Sequence, residues 1–164
     1  MKRFLFPFLA AVMMATAAVS TVRAELPVLG KAPAWKLKDL QGKEVSSADF
    51  KGKVVVIDFW ATWCPPCRKA IPELMELQKK YADKGLVIIG ISMDENRAEL
   101  EAFVKKMNFN YKVLQFNDDV VTAYFDSDGL PRTILIDPEG AIRDVQVGVG
   151  PPGFYEKRLL QLLK

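Results

Sequence analysis

The sequence predicts an α/β domain with a mixed β-sheet between helices, and two long apolar runs are the main observation behind this prediction. The runs KVVVIDFW (53–60) and LVIIGISMD (86–94) are rich in β-branched residues, which is typical of strands buried on both faces of a sheet. A segment with helical apolar spacing follows each run, and a hairpin pattern with a last helix ends the chain. The order βαβα followed by ββα therefore predicts one domain with a central mixed sheet flanked by helices.

The first half of this domain is predicted to contain two short strands, a brief helical turn, a buried strand and a long helix. In chain order they cover residues 34–45, 46–50, 53–60 and 65–83. The two short strands flank the turn Gln41-Gly42-Lys43 and form an amino-terminal hairpin. Gly85 ends the long helix, whose apolar stripe consists of Ile71, Leu74, Met75, Leu77 and Gln78.

The second half is predicted to alternate strands and helices before a final hairpin. The strands cover residues 86–94, 112–116, 133–137 and 141–148, and the helices cover 97–107, 118–125 and a terminal segment opened by Pro151-Pro152. The second helix turns Leu100, Phe103 and Val104 inward, and a capping Asp begins the third. The terminal helix is expected to cover the sheet with Leu159, Leu160, Leu162 and Leu163.

Residues 1–24 have the features of a secretory signal and are set apart from the domain at 25–164. The segment has a basic start (1–3), an apolar run of small residues (4–22) and the sequence Val22-Arg23-Ala24 before Glu25, which predicts cleavage after Ala24. The alternative is an uncleaved membrane anchor, because the run is near the minimum length for spanning a bilayer. Either form predicts export to the periplasm or cell envelope of a bacterium.

Charge and composition exclude several classes of function. Three of the 23 basic residues lie in the predicted signal and none of the 20 acidic residues does, so the remainder is neutral and offers no basic surface for nucleic acid. The chain has no histidine, which excludes serine triads that need an imidazole. Two cysteines without histidine cannot form the usual four-ligand zinc site, so we expect no metal.

Both cysteines of the chain lie in one motif, WATWCPPCRKAIPEL (60–74). Cys64 falls where the buried strand turns into the long helix, and a thiol at a helix amino end is favoured as thiolate by unpaired N–H groups and by the helix dipole. Cys64 is therefore the predicted nucleophile, and Cys67, one turn further, the predicted resolving thiol. The structural alternative, a disulfide staple or a pair of core thiols, is weaker because a loop this short restricts the unfolded chain little.

The two prolines between the cysteines predict a reducing couple. Pro65 and Pro66 have no N–H group, so two donors that could solvate the Cys64 thiolate are missing. A less stabilised thiolate makes the dithiol form less stable and the couple more reducing, nearer to about −270 mV than to about −120 mV. A cation close to Cys64 would act in the opposite direction, and Arg68 and Arg132 are the candidates.

The WCPPC pair, the strand ending in DFWATWC and the later GLPRTILIDPEG together resemble the thioredoxin superfamily. The chain is most similar to its exported TlpA/ResA-like branch, redoxins of the AhpC/TSA type that act as thiol–disulfide oxidoreductases. The resemblance covers residues 26–164 and implies a thioredoxin fold with an amino-terminal β-hairpin and a central strand–helix insertion. It further implies a reductant of protein disulfides, often in cytochrome c or oxidase assembly, that a membrane electron donor recharges. No cofactor beyond the Cys64–Cys67 disulfide is implied, and nothing in the sequence requires more than a monomer.

The resemblance also assigns roles to residues around the pair. Pro131 corresponds to the family's cis-proline opposite the cysteines, and Leu130 before it would present backbone groups to an extended substrate. Trp63 and Pro65 are expected on the same substrate-binding surface, and Trp60 in the packing beneath it. A trans turn at residues 129–132 is the alternative for this segment.

Asp58 corresponds to the acid that is buried beneath the pair in thioredoxins and transfers a proton to or from the resolving cysteine. A carboxyl group on an otherwise apolar strand would have a raised pKa, which suits proton transfer near neutral pH. The alternative is an ordinary solvated aspartate at a strand end.

The sequence is also compatible with three other functions. The same chemistry in reverse would make the protein a disulfide-donating oxidase, which the reduction potential distinguishes. A peroxidase of this fold normally carries Pro-x-x-x-Thr-x-x-Cys, but here the residue seven before Cys64 is Ile57. A copper-binding module could use the two thiolates as soft ligands, although no methionine and histidine cluster accompanies them.

Overall fold

The computed structural model describes residues 25–125 and 129–163. The signal predicted at residues 1–24 lies outside the described residues. Within the described ranges, no helix combines the length and apolar character needed to cross a membrane.

Within the described residues, six strands form the central sheet and two more form a separate hairpin. The eight strands are β1 (Gly30–Lys31), β2 (Lys36–Lys38), β3 (Glu44–Ser46), β4 (Val54–Trp60), β5 (Leu86–Ser92), β6 (Lys112–Gln115), β7 (Arg132–Ile136) and β8 (Ala141–Val147). The central sheet has the order β1-β8-β7-β4-β5-β6, and β2 pairs with β3. Because β4, β5 and β6 are parallel and the other pairs antiparallel, the sheet is mixed, as predicted.

In the part of the chain that the structure describes, four α-helices pack around this sheet. They are α1 (Pro65–Tyr81), α2 (Arg97–Met107), α3 (Asp118–Tyr124) and α4 (Phe154–Leu159), and short 3₁₀ turns cover Ser47–Phe50 and Ala82–Lys84. Gly85, with φ 91°, ends the 3₁₀ turn after α1 in the left-handed conformation, which glycine adopts without steric cost. The strand–helix unit β5-α2 is the insertion implied by the resemblance.

The central strands divide the interior into two apolar layers because successive side chains point to opposite faces. On one face of β4, Val54, Val56 and Trp60 join a core that contains α1 and both cysteines. On the other face, Val55, Ile57 and Phe59 pack with residues of α3 and the hairpin β2-β3. All seven residues of β4 are buried, which explains why every residue of the strand except Asp58 is apolar.

Three details of the sequence prediction are corrected. The two-residue strand β1, which pairs with β8, was not predicted, since so short a strand leaves no periodic pattern. The side chain of Asn117, not an Asp, caps α3 by accepting from the N–H of Val120. The terminal helix α4 begins at Phe154 rather than at Pro151-Pro152, and Leu160, directly after it, is 39% exposed whereas Leu159 is buried.

Candidate active site

The two cysteines lie at the carboxyl edge of the sheet, where β4 passes into α1. Cys64 is the N-cap residue of α1, with extended backbone angles (φ −95°, ψ 102°), and Pro65 and Pro66 are its first two helical residues. Proline is tolerated there because the first N–H groups of a helix have no partner inside it. The strand thus delivers Cys64 to the amino end of a 17-residue helix.

Cys64 and Cys67 are joined in a disulfide, with their Cα atoms 5.3 Å apart. The backbone N–H of Cys67 donates a hydrogen bond to Cys64 Sγ over 3.2 Å, so the sulfur of Cys64 is the capping atom of the helix. A negative charge that develops on this sulfur faces both the N–H donor and the positive end of the helix dipole. Cys64 is 4% exposed and Cys67 is fully buried, so an incoming reactant meets Cys64 first.

Asp58 is fully buried on the face of β4 that packs against α1. Burial raises the pKa of its carboxyl group from 3.8 to about 7, and a hydrogen bond from Thr133 partly offsets this rise. The Thr133 hydroxyl donates to Asp58 Oδ1 over 3.3 Å, while Oδ2 has no hydrogen-bond partner among the described residues. An exposed aspartate at a strand end, the alternative weighed from the sequence, is therefore wrong for this position.

The two tryptophans before the pair occupy different environments. Trp60 is fully buried and stacks on Phe109, with ring centroids 5.2 Å apart. Trp63 is 66% exposed beside Cys64, and Pro65 is exposed as well. Trp60 thus belongs to the packing, and Trp63 and Pro65 to the outer surface around the disulfide.

The segment before β7 lies at the same edge of the sheet. The Leu130–Pro131 peptide is cis, so the trans alternative is wrong. Arg132 pairs with Phe59 in the β4–β7 register, which brings Leu130 and Pro131 beside the end of β4. The carbonyl of buried Pro131 accepts from Gly148 N–H over 2.8 Å, and Leu130 is half-buried.

The two arginines considered from the sequence differ in position. Arg132 alternates with Thr133 along β7 and so lies on the opposite face from Asp58. Its guanidinium is 5.4 Å from the centre of the Phe125 ring. Arg68 is exposed on the first turn of α1, where solvent screens its charge.

A buried aspartate beside the pair was missed in the sequence. Asp94, 2% exposed, follows β5 and accepts hydrogen bonds from the Thr62 N–H (3.0 Å), the Thr62 hydroxyl (2.5 Å) and the Ser92 hydroxyl (2.7 Å). It therefore anchors the loop between β4 and Cys64 to the neighbouring strand. The sequence did contain a clue to this residue, because an acid directly after a buried strand lies at the sheet edge where the sites of α/β proteins commonly occur.

No group of three or more potential metal-ligating side chains occurs within residues 25–125 and 129–163. A cavity of about 490 Å³ lies between the 3₁₀ turn Ser47–Phe50 and the β7–β8 turn, at the opposite edge of the sheet from the cysteines. The edge described above carries the cysteine pair and a buried carboxyl group whose pKa is about 7.

The AhpC/TSA family model matches residues 28–145 of the chain. Among relatives, the thiol-disulfide oxidoreductase ResA of Bacillus subtilis is 35% identical over 117 residues, which cover 71% of this chain and 65% of that protein. The thioredoxin-like protein YneN of the same organism is 34% identical over 132 residues, covering 79% of this chain and 76% of that one. The match thus spans slightly less than two thirds of the length of Bacillus subtilis ResA and about three quarters of the length of YneN.

Solved structures with similar folds carry related descriptions. A thiol:disulfide interchange protein of the thioredoxin family from Chlorobium tepidum superposes with a TM-score of 0.76 at 30% identity, covering 86% of this chain and all of that chain. A thiol:disulfide interchange protein from Bacteroides sp. superposes with a TM-score of 0.67 at 34% identity, covering 74% and 82%. The thioredoxin fold expected from the sequence is confirmed. The chain belongs to the AhpC/TSA family, among its thiol–disulfide oxidoreductases of thioredoxin fold.

Proposed function

We propose that this protein is an exported thiol–disulfide oxidoreductase that reduces disulfides in other proteins through Cys64 and Cys67. The observation that carries the proposal is the position of Cys64 Sγ, which caps α1 and accepts from the N–H of Cys67. That position favours a thiolate at the one cysteine of the pair that is not fully buried. Asp58, with a pKa of about 7, supplies a group that both takes up and releases a proton near neutral pH.

The reaction has two exchange steps. The Cys64 thiolate attacks one sulfur of a substrate disulfide, forming a mixed disulfide and releasing the other substrate sulfur as thiolate. Cys67 then passes its proton to the Asp58 carboxylate and attacks Cys64, releasing the second substrate thiolate. Two electrons move from the cysteine pair to the substrate, whose thiolates take protons from water. The protein leaves as the Cys64–Cys67 disulfide, and a membrane electron donor returns two electrons to it.

The reductive direction is supported by the first turn of α1. Pro65 and Pro66 provide no N–H group, and Arg132 lies on the other face of the sheet. The Cys64 thiolate is therefore less stabilised than a thiolate at a helix start that has free N–H donors and a nearby cation. Because the reduced form is less stable, the reduction potential of the pair is lower.

The first test is the equilibrium reduction potential of residues 25–164 against dithiol and glutathione buffers. We expect a value near or below about −250 mV, together with catalysed reduction of a protein disulfide such as that of insulin. Cys64→Ser abolishes the reaction, whereas Cys67→Ser accumulates the mixed disulfide, because only the resolving step is lost. A potential near about −120 mV would instead make the protein a disulfide donor.

We further propose where in the cell the protein acts and which proteins it reduces. The signal features of residues 1–24 support export to the periplasm or cell envelope, and the resemblance supports clients in cytochrome c or oxidase maturation. The oxidised form of a haem-attachment peptide, Cys-x-x-Cys-His, is the appropriate probe. We expect the monomeric protein to reduce it faster than a peptide with the same cysteines and no histidine. Equal rates for the two peptides would contradict this client class.

A further inference from the structure

We propose that Thr133, one bound water molecule and Tyr155 form the path by which Asp58 exchanges its proton with solvent. The inference rests on the proposed function, in which Asp58 takes the proton of Cys67 during the resolving step. Thr133 and Tyr155 are positioning residues in this scheme, because they act on the cysteines only through Asp58.

The path is needed because Asp58 is completely enclosed. Its carboxyl group has no exposed surface, and the adjacent side chains on its own strand, Ile57 and Phe59, are also fully buried. Because its pKa is about 7, the carboxyl group is protonated in part of the molecules at pH 7, and that proton must leave before Asp58 can accept the proton of Cys67. Among the described residues, the one hydrogen bond to the carboxyl group is donated by the Thr133 hydroxyl, at 3.3 Å from Oδ1.

A small cavity continues from Thr133 away from the cysteines. It has a volume of about 20 Å³ and lies between the sheet and α4, with Val56, Thr133 and Leu135 on one side and Tyr155 and Leu159 on the other. A cavity of roughly 10–15 Å³ on this measure is enough for one water molecule. The size and the hydroxyl groups at its wall therefore suit a single bound water.

Tyr155 supplies the second polar wall of this cavity. Its side chain is buried, and its hydroxyl has no hydrogen bond among the described residues. Burial raises the pKa of this hydroxyl, and the nearby Thr133 side chain and Gly150 backbone partly offset the rise. Neither group meets the distance and angle criteria of a hydrogen bond with the hydroxyl. A buried hydroxyl without a partner is unfavourable, so a water that bonds both Tyr155 and Thr133 removes that cost.

The outer end of the cavity reaches the protein surface. Its remaining polar lining consists of Asp144, Gln146 and Arg158. Arg158 Nε lies 3.3 Å from Asp144 Oδ2, and the two side chains are 37% and 23% exposed. A proton from Asp58 thus passes through Thr133, the water and Tyr155 to the solvent-exposed ion pair of Arg158 and Asp144.

Among the described residues, the other groups around Asp58 form no hydrogen bond with its carboxyl group. Trp60 of β4 presents an indole N–H, which cannot accept a proton, and Cys67 of α1 is the proton donor itself. The pKa of Tyr111, before β6, is raised by burial and by the charge of Asp58, and its buried hydroxyl has no hydrogen-bond partner among the described residues. Its ring lies over Gly90 on the β5 side of Asp58 and lines a separate cavity of about 410 Å³, which does not include Thr133. Tyr111 is therefore a matched control for Tyr155.

The proton balance of the resolving step defines the measurement. Cys67 loses one proton to Asp58 as its sulfur attacks Cys64, and Asp58 then releases that proton to water through Thr133 and Tyr155. No electrons travel along this path, so the equilibrium potential of the cysteine pair is unaffected by it. Interrupting the path changes rates and their solvent isotope effect.

The experiment compares Tyr155→Phe with Tyr111→Phe in full-length mature protein. Reduced protein is mixed with excess protein disulfide at pH 7, and turnover of the mixed disulfide is followed in H₂O and D₂O. We expect Tyr155→Phe to slow this turnover by about five- to tenfold and to increase its isotope effect, with the reduction potential unchanged. Tyr111→Phe is expected to behave as the wild type.

Thr133 provides the second pair of variants. Thr133→Val removes the hydroxyl at constant shape and is expected to slow turnover, whereas Thr133→Ser retains the hydroxyl and restores the rate. A crystal structure is expected to show an ordered water bonded to both Thr133 and Tyr155.

Three results would overturn the inference: wild-type rates in Tyr155→Phe, equal slowing in Tyr111→Phe, or no water between the two hydroxyls. A wild-type protein that reduces no protein disulfide would instead overturn the proposed function, so the two failures are distinguishable.

Discussion

At the residue scale, Asp58 is a fully buried acid whose protonation state differs between the folded and the unfolded chain. Its pKa is raised to about 7 because burial disfavours the carboxylate more than the Thr133 hydrogen bond favours it. The folded protein therefore holds a proton on Asp58 at pH values where the unfolded chain has released it. A group of this kind stabilises the folded state most at low pH.

Asp58→Asn is predicted to flatten the pH dependence of stability. In the wild type, the free energy of unfolding contributed by Asp58 falls as pH rises from about 4 to about 7, by about 4 kcal/mol in total. The asparagine does not titrate, so this slope disappears. Urea unfolding of the oxidised protein between pH 4 and 9 measures the effect. An unchanged slope in Asp58→Asn would show that the titrating group lies elsewhere.

At the element scale, a contact between two loops positions the segment that precedes Cys64. The loop from β4 to α1 is fastened to the end of β5 through the hydrogen bonds between Thr62 and Asp94. Ser92 holds the same carboxylate from inside β5. This arrangement sets the direction in which α1 leaves the sheet and hence where Cys64 Sγ lies.

Asp94→Ala is predicted to lower both stability and reaction rate. The loss of these hydrogen bonds leaves buried donors unpaired, which costs about 1–3 kcal/mol. The freed loop also orients Cys64 less well, so its reaction with a protein disulfide slows. Chemical unfolding and stopped-flow thiol exchange measure the two effects.

Asp137→Ala is the control for that variant. Asp137 is also buried, accepts from the N–H groups of Glu139 and Ala141 and pairs with Arg143 over 3.0 Å, but it lies at the far edge of the sheet. We expect a comparable loss of stability with no change in the exchange rate. An equal slowing in both variants would mean that global stability, not loop geometry, governs the rate.

At the scale of the whole molecule, α4 closes the core over β7 and β8. Leu159 is 1% exposed within the core that contains α1 and the cysteines, whereas Leu160 points outward. The helix contributes one layer of the interior although it has only six residues. It also forms one wall of the cavity beside Thr133.

Leu159→Ala is predicted to destabilise the protein by about 2–5 kcal/mol, because it removes buried methyl groups and leaves a cavity. The neighbouring Leu160→Ala, at an exposed position, is expected to change stability by less than about 0.5 kcal/mol. Thermal and chemical unfolding distinguish the two. Similar losses in both variants would mean that α4 packs in a different rotation.

Most of the fold could be predicted because its elements have strong local signals. The buried strands β4 and β5 have mostly apolar, β-branched sequences, and α2 was predicted with the bounds that the structure shows. Weaker signals failed where tertiary contacts decide the outcome. The strand β1 exists only by pairing with β8, and the rotation of α4 depends on the surface it covers.

The sequence by itself determined the chemistry of the protein, because it places two thiols one helical turn apart, directly after a buried strand. The two prolines between them favour the start of a helix, so local propensity is enough to position the pair there. It also indicated Asp58, because a single acid in an apolar strand has an unusual environment. The tertiary structure alone decided the supporting contacts of Asp94 with Thr62 and of Asp58 with Thr133. These partners lie 32 and 75 residues apart in the chain, and only the pairing of neighbouring strands brings them together.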